Sequence, residues 1–499
     1  MLSLLGVLCG CRSLPPGVNM AGTPVPIESS DVRLLIDSTA WDTDKEERVI
    51  EQEIFDALLQ MIDRAHSAIV LDLFLWNQMG TSDADHRALS GELVDALLRR
   101  HTERPELEII VLTDPINALY GTEWDPQLQR LRDAGIPVVL TDLDQLRDSH
   151  VLYAAPARST AWILDRVPHP SAYLSEPRLP NPFDAEAPRL SYQQVGRLLY
   201  FKANHRKVAL VDDENGDWTV LVTSFNPHNA SSAHSNIGFQ LRGEVARQAL
   251  ESELDCIEWS SRAIKDLSER AEVAQVALCI RAAARQGDKP ATRDGGDGPT
   301  VQWLTEQAIR DKLVSLCDDA VAGATIRIGI FYLSERRVIS AIRRAARRGV
   351  SVRMIMDPNR DAFGRRKNGV PNRIVARELV VCARRRELDL DVRWADTHGE
   401  QFHTKAICVR APDGSGALLC GSANWTRRNL NNLNMEAVAL VEGDPASLDR
   451  FCEYFDRAWS NSDGLIHTLP YSAYAEGWWS AFWKGCLYRI GEHLGSSTF

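Results

Sequence analysis

Three things are scarce in this chain. Its ten cysteines include no C-x-x-C pair, which argues against a zinc site or a disulfide scaffold. Most of them are expected as small buried apolar side chains. There is no surplus of basic charge: 57 Lys and Arg face 68 Asp and Glu, for a net charge of −11. Nucleic-acid binders generally carry a basic surface, so the bulk charge argues against DNA or RNA as a partner. No apolar run approaches the ~20 residues a membrane-spanning helix needs. The longest N-terminal run, Leu2 to Gly10, is far shorter, and no Lys or Arg precedes it.

What is present fits a soluble globular protein. The chain has 499 residues, 44% hydrophobic and 25% charged. That length suits roughly two domains of about 200 residues. Leu8-Cys9-Gly10-Cys11 resembles a bacterial lipoprotein cleavage site, with Cys11 as the lipidated residue. A second start at Met20 would remove this segment. Residues 1–30 are expected to be signal and linker.

One phrase occurs twice. His205-Arg206-Lys207 and His403-Thr404-Lys405 stand 198 residues apart. Each is followed by a small polar turn, Thr223-Ser224-Phe225-Asn226 and Gly421-Ser422-Ala423-Asn424. Asn226 and Asn424 keep the 198-residue offset, and so do Asn236 and Asn434. The constancy implies that one half-site has been written twice, and that the two copies meet.

The repeat extends beyond these phrases. Periodicity predicts helix over Ile54 to Ala65 and Ile309 to Val321, then buried strand over Ala68 to Trp76 and Thr325 to Leu333. Second helices follow at Leu89 to Arg100 and Arg337 to Arg348, then strands ending in Asp114-Pro115 and Asp357-Pro358. Alternating strand and helix is the signature of α/β layers. The halves are read as residues 31–285 and 301–465, joined by a polar, turn-rich linker at 286–300. About 45 extra residues fall within 143–200 of the first half, rich in Pro, Arg and aromatics such as Tyr153, Trp162, Tyr173, Pro180, Pro182 and Phe183. Such an insertion is either a substrate-binding lid or a surface decoration. Residues 466–499 are read as an aromatic C-terminal helix whose Trp478, Trp479, Phe482, Trp483 and Tyr488 pack on the second half; an interfacial membrane helix is the alternative. Basic clusters at Arg343 to Arg348, Arg365 to Lys367 and Arg384 to Arg386 are solvated faces or a patch for anionic head groups.

Ala203 to Val211 and Phe402 to Val409 read as strands. Residues i and i+2 of a strand face one side, so His205 points with Lys207, and His403 with Lys405. Two imidazoles and two ammonium groups suit transfer at a phosphate. One imidazole attacks phosphorus and the other protonates the leaving oxygen. The lysines, with Ser224, Asn226, Ser422 and Asn424, can hold the non-bridging oxygens. No metal or other cofactor is required, and the motif lacks carboxylates or cysteines at ligand spacing.

These residues resemble the phospholipase D superfamily, whose hallmark is H-x-K-x4-D in two copies per active site. The first copy is complete as His205, Lys207 and Asp212; the second has Arg410 where the Asp belongs. The resemblance spans about Val32 to Ser460. It implies two pseudo-symmetric α/β/α sandwich halves with one active site at their interface. By strand parity Asp212 faces away from His205 and is structural. In this superfamily an acidic residue on a following strand orients the catalytic imidazole. Glu436 fits that role in the second half, and the 198-residue offset makes Gly238 its first-half counterpart, leaving His205 to find another partner: Asn236, Gln240 or an acid outside the repeat. Chain order in the family makes His205 the nucleophile and His403 the general acid.

Within the family the chain is similar to bacterial phospholipase D and cardiolipin-synthase-like proteins. That implies a phospholipid substrate at a membrane surface, no nucleic acid, and a membrane-associated, periplasm-facing lipoprotein. The alternatives are a phosphodiesterase acting on nucleic acid or another diester, and a non-catalytic lipid-binding protein of the same fold.

Overall fold

The computed structural model describes residues 13–76, 86–119, 124–148, 176, 178–180, 189–192, 194, 202–286, 298–362 and 365–494. Cys11, the linker residues 287–297 and most of the 143–200 insertion, including Tyr153, Trp162, Tyr173, Pro182 and Phe183, lie outside the described residues.

The first half forms an eight-stranded sheet. Its strands are β1 (Val32–Asp42), β2 (Glu47–Glu51), β3 (Ala68–Leu73), β4 (Glu108–Thr113), β5 (Val138–Leu140), β6 (Lys207–Asp212), β7 (Trp218–Thr223) and β8 (Asn236–Arg242). Their order is β2-β1-β8-β7-β6-β3-β4-β5. In the second half β9 (Thr300–Thr305), β10 (Thr325–Ile330), β11 (Ser351–Met356), β12 (Leu390–Ala395), β13 (Lys405–Arg410), β14 (Gly416–Gly421), β15 (Ala437–Glu442) and β16 (Thr468–Pro470) do the same. There the order is β9-β15-β14-β13-β10-β11-β12-β16, with Val25–Pro26 added beside β9. In both sheets the H-x-K strand, β6 or β13, lies at the centre and runs antiparallel to its neighbours on each side. Strands buried on both faces read as near-continuous apolar runs. All six residues of β3 and of β6 are buried.

Helices cover both faces of each sheet. α1 (Ile54–Arg64) and α2 (Leu89–Glu103) lie outside the first sheet, followed in the chain by α3 (Pro126–Asp133). α1 buries Ile54, Phe55, Leu58, Met61 and Ile62, one helical stripe. α6 (Glu306–Asp319), α7 (Arg336–Arg347) and α8 (Asn372–Arg386) cover the second sheet in the same way. Between the sheets α4 (Glu244–Ser261) and α9 (Pro445–Ser460) join both inner faces in one apolar core, from Val208 and Phe239 to Ala406, Met435 and Phe451, and α5 (Leu267–Gln286) packs against α4 and β4. The fold is thus the expected pair of α/β/α halves, sharing a central core.

Three segments differ from the sequence expectation. Residues 18–28 do more than link. Met20 N–H donates to Thr305 Oγ1 (2.7 Å), Gly22 N–H to the Trp303 carbonyl (2.8 Å), and Val25 pairs with Val301. The segment therefore closes the edge of the second sheet. Residues 466–499 are not one helix: β16 pairs with β12 before α10 (Trp478–Leu494) begins. The α10 aromatics do not fill the core either. Tyr488 is buried, but Trp478, Trp479, Phe482 and Trp483 are exposed. Of the eight described cysteines, five are buried and all are unpaired.

The halves are locked by a residue that the motif leaves unspecified. Arg206, between His205 and Lys207 and just ahead of β6, turns toward the shared core, where it is fully buried. Its guanidinium reaches Glu306 Oε1 (2.8 Å) in the second half and Glu253 Oε1 (3.0 Å) in the first, and donates to the Gly17 carbonyl (2.7 Å). Glu306 in turn accepts the Glu436 and Asn19 amides. Truncating one member of a buried ion cluster strands the others. Arg206→Ala should therefore cost about 3–5 kcal/mol, read as a lower urea midpoint. An unchanged midpoint would show that the cluster does not hold the halves together.

Candidate active site

The residues ahead of β6 and β13 form the seam between the halves. Asn204 bridges Met435 and Phe402 bridges Ser235, each in parallel pairing. His205 N–H donates to the Met435 carbonyl (3.0 Å), and Ser235 N–H to the Gln401 carbonyl (3.1 Å). The histidines thus precede their strands, which begin at Lys207 and Lys405 rather than at Ala203 and Phe402. The backbone ahead of each is pinned by the aspartate of the repeated Asp-Pro: Asp114 Oδ2 accepts Asn204 N–H (2.8 Å), and Asp357 Oδ2 accepts Phe402 N–H (2.9 Å). Burial pushes both carboxyls up to about 7. In sequence the two residues mark strand ends, and the repetition of Asp-Pro is the signal of their shared role.

His205, Lys207, His403 and Lys405 are all buried at this seam, and each His-Lys pair is built alike. Lys207 Nζ donates to the His205 carbonyl (2.8 Å), and Lys405 Nζ to the His403 carbonyl (2.9 Å). Phe74 lies against His205 (4.7 Å between centroids) and under Lys207 Nζ (5.0 Å); Phe331 repeats this with His403 (4.8 Å) and Lys405 (5.2 Å). Neither phenylalanine was singled out from sequence.

The imidazoles are oriented across the seam, not within their own halves. His205 Nδ1 lies 2.7 Å from Glu436 Oε1, so the carboxylate of the second half holds the histidine of the first. His403 Nδ1 lies 3.2 Å from Asn236 Oδ1, the reciprocal contact. Pairing Glu436 with the histidine of its own half is thereby corrected. So is the assignment of Gly238 as the counterpart of Glu436. Gly238 pairs with Thr223 as Val438 pairs with Gly421. A side chain at Gly238 would meet Val222 O and Thr223 Cβ at 2.7 Å, so no carboxylate fits there. The counterpart of Glu436 is Asn236, because the second turn is two residues longer: Ser224 to Asn236 spans 12 residues and Ser422 to Glu436 spans 14.

The turn serines serve these orienting groups. Ser224 Oγ donates to Asn236 Oδ1 (3.2 Å) and accepts Ile237 N–H (3.0 Å). Ser422 Oγ donates to Glu436 Oε2 and accepts Ala437 N–H (3.0 Å). Their hydroxyl protons are committed to those contacts, rather than to the substrate contact expected of them. The amides of Asn226 and Asn424 differ: each is buried, and each Oδ1 has no hydrogen-bond partner. An orphaned buried acceptor calls for a donor, such as a hydroxyl of a ligand.

Two further residues complete the pseudo-symmetry. Asn434 Oδ1 accepts Ala203 N–H (3.0 Å), and His234 Nδ1 accepts Gln401 N–H (3.3 Å). His234 therefore corresponds to Asn434, and its ring lies 6.1 Å from that of His403. Asp212 faces the other way, as strand parity requires. It accepts the amides of Ser67 (2.8 Å) and Ala68 (2.9 Å), and the Ser67 hydroxyl. Arg410 stands at the matching position and pairs with Asp449 (2.6 Å) on the surface.

The electrostatics suit an anion. Burial lowers Lys207 to about 7, against the pull of Glu436, Asp72 and Asp114. Burial, then Lys207, holds Lys405 well below its ordinary range. Two buried ammonium groups that destabilise each other gain from a phosphate between them. Burial and the neighbouring lysines also lower both histidines well below 6.5. Burial pushes Glu436 up to about 8, against Lys207 and the Ser422 hydroxyl. Its two oxygens receive the His205, Ser422 and Asn424 hydrogens, which favours the carboxylate.

Residues 320–459 match the family model described as the cardiolipin synthase, phospholipase D-like domain. Across 97% of this chain and 96% of its own, the crystal structure of phosphatidylserine synthase from Haemophilus influenzae Rd KW20 superimposes with a TM-score of 0.57 at 12% identity. The chain has the phospholipase D fold. The phospholipase D family member Nuc from Salmonella typhimurium also matches, over 34% of this chain and 97% of its own, at 19% identity and TM-score 0.27. A polyphosphate kinase from Porphyromonas gingivalis matches over 95% of this chain and 57% of its own, at 13% identity and TM-score 0.43. No curated protein sequence matches.

The unequal partners of the two histidines within this phospholipase D fold have a measurable consequence. Burial, then Lys405, lowers His403 well below 6.5, and an amide rather than a carboxylate meets its Nδ1, so kcat/KM should fall as pH rises through that range. Asn236→Asp gives His403 a carboxylate and should move the falling limb upward by about one unit or more. The nearby Asp37, pushed up to about 7 by burial, can supply the proton that the lost amide group donated. An unmoved limb in the pH–rate profile would contradict the assignment.

Proposed function

We propose that this chain is a phospholipid phosphodiesterase or phosphatidyltransferase of phospholipase D type, acting at a membrane surface through a phosphohistidine. The observation that carries the reading is the 2.7 Å contact between His205 and Glu436. A carboxylate at Nδ1 fixes the tautomer that leaves Nε2 with its lone pair, and stabilises the positive charge that grows on attack. Nε2 of His205 attacks phosphorus, a P–N bond forms, and the P–O bond to the leaving head group breaks. His403 gives that oxygen its proton. In the second step His403 takes the proton of an incoming hydroxyl, whose oxygen attacks phosphorus and releases His205. Water yields phosphatidic acid; a lipid or other alcohol yields a new phospholipid. Lys207 and Lys405, with the Nδ2 groups of Asn226 and Asn424, hold the non-bridging oxygens.

The chemistry as proposed needs no metal: the lysines supply the charge, and the Glu436 carboxylate is engaged by His205 and Ser422. The lipoprotein reading of Cys11 would place the enzyme on the periplasmic side of a bacterial membrane.

The test is incubation with labelled phosphatidylglycerol, with and without a second alcohol, followed by lipid analysis. Alcohol-exchanged lipid or cardiolipin indicates transfer, and phosphatidic acid alone indicates hydrolysis. His205→Ala and His403→Ala should each lower turnover by at least about a thousandfold, and a chelator should change it little. Cleavage of DNA or a generic diester without turnover of any phospholipid would overturn the lipid assignment. Absence of all turnover would favour a lipid-binding role.

A further inference from the structure

The chain is acidic overall, yet one groove on its surface is strongly basic. It lies among α7, α8 and α10, with a volume of about 580 Å³. Seven arginines line it, and among the described residues Glu378 is its one carboxylate. Arg336 and Arg343 both engage Glu378, at 2.7 and 2.9 Å. Arg347, Arg377, Arg385, Arg386 and Arg489 add their charge to the same walls. In a protein of net charge −11 such a concentration has to be built, and it lies outside the seam where the histidines meet.

The groove is bordered by an apolar face that the fold leaves uncovered. α10 is held by Ala481 and Tyr488, the latter donating from its hydroxyl to the Ser334 carbonyl (3.1 Å). At about 100° per residue, Trp478, Phe482, Trp479, Ile490, Trp483 and Leu487 fall within about half the helix circumference. All six are exposed, Trp479 at 66% and Trp483 at 60%. Trp478 and Phe482 also line the groove, so apolar face and arginines adjoin. An ordinary protein surface does not carry three tryptophans and a phenylalanine in one exposed turn and a half. Tryptophan is the side chain that settles at the depth of lipid head groups, its ring amphipathic.

We propose that α10 and the arginine groove beside it dock the protein on an anionic phospholipid bilayer. The aromatics enter the head-group layer while the guanidiniums take lipid phosphates, bidentate in geometry. The docking face is joined to the active site. Ser334, which holds Tyr488, donates its N–H to the carbonyl of Trp425 (2.8 Å), the residue after Asn424. Lys484 of α10 donates to the Asn368 carbonyl (2.9 Å), and Lys367 beside it donates to Tyr332 (2.8 Å), which follows Phe331 at His403. A bilayer bound there is linked through these hydrogen bonds to the loops that frame the site. The inference takes its context from the phospholipid reading above but does not depend on turnover.

The full chain is sedimented with vesicles of phosphatidylcholine alone and of phosphatidylcholine with phosphatidylglycerol. The wild type should partition at least about tenfold better onto the anionic vesicles, and less so as salt is raised. Trp479→Ser with Trp483→Ser, and separately Arg385→Glu with Arg386→Glu, should each weaken binding about tenfold or more; a shared melting temperature with the wild type shows that each is folded. Equal binding to both vesicle types overturns the proposal, as does wild-type binding by both folded variants. A dimer that these substitutions dissociate, without vesicle binding, would assign the face to a second copy and also overturn it. Turnover of a soluble short-chain diester by the wild type is measured in parallel. Its absence with vesicle binding intact counts against the chemistry and leaves the docking inference standing.

Discussion

Each imidazole at the seam is oriented by a side chain of the opposite half: His205 by Glu436, and His403 by Asn236. Neither half can set its own histidine, so the geometry of the site is only as good as the registration of the halves. A catalytic constellation has to be held within about half an ångström of its working geometry. Much of the molecule serves that requirement. The two parallel bridges clamp the strands that carry the histidines. The Arg206 cluster ties both halves to the N-terminal segment. The shared core fills the space between the sheets with well-packed apolar side chains.

Within this symmetric frame the two positions are not equivalent. A carboxylate on one side and an amide on the other give the histidines different capacity to carry positive charge. The buried lysines and the Asn226 and Asn424 amides, in contrast, are paired faithfully across the pseudo-twofold. The frame that would grip a phosphate is symmetric, and the groups that would move protons are not. That division is expected of a double-displacement site, where one imidazole bonds to phosphorus and the other handles protons.

Much of this was legible in the sequence, because strand alternation is a strict rule. The twinned His-x-Lys phrase placed both pairs, and parity sent Asp212 to the far side, where it caps the turn at Ser67. The errors came from residue counting. A fixed offset of 198 residues matched Asn236 to Asn434, but the turn before β15 is two residues longer, so the true correspondences are Asn236 with Glu436 and His234 with Asn434. Contacts across the seam were illegible for another reason. Nothing local distinguishes a carboxylate that serves its own half from one that serves the other. Arg206 was passed over because the motif leaves its middle position open, although a charged residue between two inward-facing ones must itself point into a core. The α10 tryptophans misled because helical spacing gives the width of an apolar face but not what covers it.

The central claim, that the histidines are oriented in exchange, is tested most directly by 15N NMR of histidine-labelled protein, with His205 and His403 assigned by single replacement. Glu436→Gln should shift the ring nitrogens of His205, a first-half residue, and leave those of His403 at their wild-type positions. Asn236→Asp should do the reverse. If Glu436→Gln instead moves His403 and spares His205, each half orients its own histidine and the account is wrong.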